Sequence, residues 1–213
     1  MGRAKIYGMG VSRKVASKNE RTAKQVELAQ YFTSDRIAKF MASLFDDSIS
    51  SNKKLHLLDP GAGKGVLGLS VIERYMNTHE IDANFVELDH ETSLILKKNL
   101  EKISKSTSNT KCYVVNEDFI DIARDWYSYI KRFSHIIINP PYFKIRTNSD
   151  VAKKLHREGV LVTNIYAAFL WLSIKLLEEN GQLVAIVPRS FCNGPYFLKF
   201  REYGPLRKDI QPT

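Results

Sequence analysis

The sequence predicts a doubly wound α/β domain on a mostly parallel sheet, and three observations carry that prediction. Short apolar runs of strand length alternate with longer segments of helical period between residues 55 and 187. The runs are apolar throughout, as strands buried on both faces require. The first of them leaves through a glycine turn into a helix, which is the junction that right-handed crossovers use.

Each element follows in chain order. Thr33-Ser34-Asp35 is a helix start, and Ile37, Phe40, Met41, Leu44 and Phe45 recur at helical spacing behind it. Strands are predicted at 55–59, 83–88, 112–115, 135–138 and 183–187. Helices are predicted at 66–75, 94–103, 122–130 and 165–177, with a polar loop over 104–110. Upstream, residues 1–29 carry seven Lys or Arg against two Glu, with glycines at 2, 8 and 10. They read as a basic arm that turns helical near Glu20. Residues 30–203 hold the domain, and 204–213 form a short polar tail.

Composition narrows the function. Of 213 residues, 44% are apolar and 11% aromatic, enough to fill the core of one domain. The longest apolar stretch, 165–177, is too short and too interrupted to span a bilayer, and the N-terminus lacks a secretory apolar core. The expectation is a cytoplasmic protein with no membrane partner. Two cysteines, Cys112 and Cys192, and five scattered histidines show neither a disulfide framework nor metal-ligand spacing, so no metal is expected. A net charge of +9 suits a polyanionic partner such as a nucleic acid.

Four motifs carry chemistry. Asp59-Pro60-Gly61-Ala62-Gly63-Lys64-Gly65 leaves the first strand, and Gly61 and Gly63 let a ligand approach the backbone closely. The run Gly63–Gly68 also fits a dinucleotide fingerprint, so this turn alone does not choose the ligand. Glu87, after the second strand, can accept both ribose hydroxyls of a nucleoside. Asp118 can accept from an adenine amine while Phe119 stacks on the ring. The fourth motif is Asn139-Pro140-Pro141-Tyr142 at the carboxyl end of the fourth strand, the edge where open α/β sheets bind ligands. An aromatic amine is a poor nucleophile because its lone pair is delocalised. The Asn139 amide oxygen and the Pro140 carbonyl can each accept one of its hydrogens, and the prolines stiffen the turn that positions them. Tyr142 offers a face to a base swung out of its helix.

These residues resemble the gamma class of N6-adenine DNA methyltransferases of restriction–modification systems. Asn139–Tyr142 matches their catalytic motif, Asp59–Gly65 their motif I, Glu87 their motif II and Asp118-Phe119 their motif III. Gln30-Tyr31-Phe32-Thr33-Ser34 is similar to the motif upstream of motif I, with Ser34 where the family has proline. The resemblance implies an S-adenosylmethionine-dependent, Rossmann-like fold with S-adenosylmethionine as cofactor. It places Thr33 near the cofactor's methionine end, and makes double-stranded DNA the partner and a flipped adenine the substrate. It also implies that Phe197, or else Tyr196, stacks on that adenine.

Lys144, Arg146, Lys153, Lys154 and Arg157, in a mobile loop past the motif, and Arg189 are candidates for the DNA backbone. By the family's pattern too few residues follow Tyr203 for the last strands or a target-recognition domain. The expectation is therefore a catalytic domain with an exposed fifth strand: a fragment, a naturally short copy, or a subunit whose specificity or restriction partner is a separate chain. Methylation of RNA adenine or protein glutamine, and a non-catalytic DNA-binding or assembly subunit, are the competing readings. Cytosine C5 chemistry is disfavoured, because neither cysteine follows a proline.

Overall fold

The computed structural model describes residues 33–47, 54–104, 107–157, 159–160 and 162–188. The basic arm, residues 30–32, Arg189, Tyr196, Phe197 and the polar tail lie outside the described residues, and the expectation about missing last strands falls there too. In chain order the elements are α1 (Asp35–Ser43), β1 (Lys54–Pro60), α2 (Val66–Tyr75), β2 (Glu80–Val86), α3 (His90–Ser104) and β3 (Thr110–Val115). They continue with α4 (Phe119–Ser128), β4 (Phe133–Ile138), α5 (Asp150–Arg157), α6 (Ile165–Lys175) and β5 (Leu177–Ala185). The strands pair in the order β3-β2-β1-β4-β5, every pairing parallel.

Period-2 alternation builds two cores from one sheet. Leu57, Phe85 and Ile137 face α1, α2 and α3, whereas Leu58, Ile136 and Ile138 face α4, α5 and α6. Burial on both faces explains the unbroken apolar runs. The chain winds outward from β1 to β3 and then returns to β4 on β1's other side. That reversal opens a crevice beyond the carboxyl ends of β1 and β4.

Several boundaries differ from the sequence expectation. Strands β1 and β2 begin in polar residues, because Lys54 Nζ lies 3.3 Å from Glu80 and 3.0 Å from Asp82 across the pair. Strand β5 starts at Leu177, six residues earlier than the apolar run. Its polar Glu178-Glu179-Asn180 reads as a connection, but Leu177 pairs with Phe133, and a register shift between Phe133 and His135, with Asn180 at φ 62°, absorbs the three extra residues of β5. Helix α4 starts at Phe119 rather than 122, since the Asp118 carboxylate caps it by accepting from Ile120 N at 2.9 Å. Phe40, expected on the packed face of α1, is 49% exposed. The basic segment expected as a loop contains α5, which Ser149 caps through Ala152 N and which Leu155 anchors in the core.

Helix α1 is strapped to the far end of the sheet. The Arg74 guanidinium donates to the Ala42 and Phe45 carbonyls and to Asp47, and Gln182 exchanges two hydrogen bonds with the Asp46 backbone. The N-terminus of α1 is thereby held over the carboxyl end of β4.

Candidate active site

Strand β4 delivers Asn139 to the crevice. Its half-buried carboxamide donates from Nδ2 to Thr33 Oγ1 at 3.0 Å, and its Oδ1 accepts from the Tyr142 hydroxyl at 3.2 Å. That hydroxyl shares its one proton with the nearer Ile186 carbonyl at 2.8 Å, which ties the turn to the end of β5. A cavity of about 250 Å³ opens here, and Thr33, Asn139 and Pro141 form one side of it. Gly61 and Gly63 from the β1 turn, Glu87 from the end of β2, and Asp118 and Phe119 from the start of α4 form the rest of the predicted set. Side chains far apart in sequence therefore meet around one space.

The glycine turn does what the residue types require. Gly63 has φ +58°, and a Cβ built on it would meet no atom within 4 Å, so the backbone there is open to a ligand. At Gly68 the reason is packing, since a Cβ would stand 2.4 Å from the Phe85 ring. Glu87 is 3% exposed. Its Oε2 accepts from Gly63 N and its Oε1 from Asp89 N, both at 2.8 Å. Burial raises its pKa above the usual carboxylate value in spite of these two donors. Each oxygen keeps a lone pair for a further donor.

Three sequence expectations are displaced. Asp59 does not line the cavity. Strand alternation turns it under α2, where Oδ2 accepts from Gly68 N at 2.9 Å and burial pushes its pKa up to about 7. Pro140 is buried and also off the cavity wall, as is Tyr142, whose hydroxyl is turned inward and whose ring lies 5.8 Å from that of Tyr166. Phe197 lies outside the described residues.

Sequence reasoning missed Phe143, Val151 and Phe169, which also line the cavity. Phe169 lies 5.0 Å from Phe119, ring to ring, and extends the aromatic wall. Within the uniformly apolar α6 it is indistinguishable from a core residue, so nothing local could have marked it. Phe143, 42% exposed and next to the motif, was the findable one.

The wall has one sign of charge. Glu87, Glu117 and Asp118 contribute three carboxylates, and no Lys or Arg of the described residues lines the space. A pyrophosphate would meet repulsion there, whereas a nucleoside bearing a cationic sulfonium would not. With the open backbone at Gly63 and the spare lone pairs of Glu87, the residues present fit S-adenosylmethionine.

Comparison with known proteins gives the site a lineage. The model of the Eco57I restriction-modification methylase family matches residues 34–210. The type II methyltransferase M.BsuBI of Bacillus subtilis is 37% identical over 189 residues, which cover 83% of this chain and 37% of that enzyme. M.PstI of Providencia stuartii is 32% identical over 185 residues, covering 83% and 36%. The chain thus spans little more than a third of the length of these curated relatives. Among solved structures, a Listeria monocytogenes protein assigned to the class I S-adenosylmethionine-dependent methyltransferases superposes with a TM-score of 0.62. The match covers 81% of this chain and 51% of that one at 17% identity, a likeness of fold. The fold is that of the S-adenosylmethionine-dependent methyltransferases, and the chain belongs to the Eco57I restriction-modification methylase family.

Proposed function

We propose that this chain carries the catalytic domain of a DNA adenine-N6 methyltransferase of a restriction–modification system. The observation that supports it most is that Asn139 faces the same cavity as Glu87 and Asp118. Glu87 holds the ribose of S-adenosylmethionine, Phe119 and Phe169 flank its adenine, and Asp118 accepts from the adenine amine. When bound, this cofactor supplies an electrophilic methyl group on sulfur. The chain's own contribution is to the nucleophile. Asn139 Oδ1 and the Pro140 carbonyl each accept one N–H of the target adenine, which draws the nitrogen lone pair out of the ring. Phe197 stacks on the extruded base, while the Tyr142 hydroxyl keeps the turn tied to the end of β5. The partner is double-stranded DNA, and a separate specificity or restriction subunit completes the system.

The test is transfer of a tritiated methyl group to mixed-sequence duplex DNA, with structured RNA and a translation release factor as parallel substrates. Transfer to duplex DNA, recovered as N6-methyladenine, is expected. Asn139→Ala is expected to lose transfer by at least about a hundredfold, as when a group acting in the transition state is removed. S-adenosylmethionine binding by calorimetry should stay near the wild-type value. Equal activity of the variant, or labelling of RNA or release factor alone, overturns the proposal.

A further inference from the structure

We infer that Thr33 is a positioning residue for Asn139, its hydroxyl holding the carboxamide in the geometry from which Oδ1 meets the target amine. The inference rests on the adenine-methyltransferase reading and deepens it, because it assigns Thr33 a role in the rate of transfer rather than in holding the cofactor.

The terminal torsion of an asparagine is broad, without the staggered wells that hold an sp³ chain. An amide free about that bond would sweep its oxygen through the cavity, and misplacement by an ångström costs on the order of a hundredfold in rate. Something must therefore hold the group before the base arrives. The Tyr142 hydroxyl holds it incompletely, because it has one proton and two acceptors. The Ile186 carbonyl at 2.8 Å takes that proton in preference to Asn139 Oδ1 at 3.2 Å. The bond from Nδ2 to Thr33 Oγ1, at 3.0 Å, is shorter than the contact of Oδ1 with the Tyr142 hydroxyl. It fixes the nitrogen end and so turns the oxygen end away from Thr33.

Thr33 is itself well placed to act as an anchor. It directly precedes Ser34, whose carbonyl accepts from Ala38 N at 2.9 Å in the first turn of α1. That helix is strapped at its other end by Arg74 and Gln182. The hydroxyl thus reaches Asn139 from an element tied to α2 and β5, across 106 positions of sequence.

The experiment compares Thr33→Val, which keeps the shape and removes the hydroxyl, with Thr33→Ser, which keeps the hydroxyl. Expected for Thr33→Val is a fall in kcat of about tenfold or more, with the S-adenosylmethionine Kd and KM within about twofold of wild type. Thr33→Ser is expected to restore most of kcat. Independently of activity, the Asn139 side-chain amide resonances of ¹⁵N-labelled protein should shift in Thr33→Val and return in Thr33→Ser. A Thr33→Val enzyme with unchanged kcat, or one in which only the cofactor KM rises, overturns the positioning role and leaves the adenine reading intact. Unmoved Asn139 resonances overturn it equally. Wild-type protein that transfers methyl to none of the substrates overturns the adenine reading instead, and this inference with it.

Discussion

At the scale of single residues, Asp59 and His135 show how burial alone changes chemistry. Asp59 is 1% exposed, with one oxygen on Gly68 N and the other without a partner among the described residues. Burial, offset by that hydrogen bond and reinforced by the charge of Glu87, raises its pKa from 3.8 to about 7. The folded chain therefore holds a proton that the unfolded chain releases, and this stability is present below pH 3.8 and lost as pH rises through 7. His135 works in the opposite direction. Buried between Phe45 and Tyr75, it is pushed down from 6.5 to about 4, so the unfolded state takes up its proton first. Its share of stability is lost as pH falls through that window. The two slopes overlap, and a variant separates them. Asp59→Asn keeps an acceptor for Gly68 N and removes the charge, so its Tm should match wild type near pH 4 and exceed it near pH 8. A difference independent of pH would contradict the assignment. The acid was legible in the sequence as part of motif I, but its position was not. Which face of the strand it points to, and whether water reaches it, depend on the helix packed above.

At the scale of elements, the end of α4 carries a visible cost. Ile130 N donates to the Tyr127 carbonyl and Lys131 N to that of Trp126, the paired closing bonds of a left-handed helix terminus. The left-handed position is filled not by glycine but by Ile130, with φ 59° and a side chain 77% exposed. A β-branched residue there costs about 1–2 kcal/mol, and the exposed side chain recovers little by burial. Ile130→Gly is therefore expected to stabilise the protein by about 1 kcal/mol after the entropy that glycine adds to the unfolded chain. It should be read as a higher urea midpoint at unchanged slope; a lower midpoint would mean that the Ile130 side chain makes a contact worth more than the strain. The same helix shows where element boundaries escape the sequence. Periodicity located α4 from its apolar residues, whereas its first turn depends on the Asp118 cap, and an Asp before an apolar run serves equally well as a ligand. Strand β5 is the parallel case, because polar residues at an edge extend by pairing with β4, which no local pattern announces.

At the scale of the whole molecule, charge is divided between two surfaces. The cavity wall is acidic, while Lys144, Arg146, Lys153 and Arg157 stand exposed on the segment that follows Tyr142. Lys154 is committed elsewhere, bonded to Asp121 at 2.7 Å. If the exposed four track a phosphate backbone, replacing Lys144 and Arg146 together by alanine should reduce the slope of log K against log salt by about 2. Fluorescence anisotropy with a labelled duplex measures this, with S-adenosylmethionine affinity as the control expected not to move. An unchanged slope places the DNA elsewhere. Among the described residues no helix is long and apolar enough to cross a membrane. The residues by themselves determined the layered architecture, the motifs at its carboxyl edge and the chemistry those motifs suit. Periodicity, turn chemistry and the order of motifs are local properties, readable without coordinates. Only the tertiary structure decided that the Thr33 hydroxyl meets Asn139, that Phe169 belongs to the cavity and that Asp59 lies beneath it. Such contacts join distant residues whose meeting depends on how helices pack across the sheet.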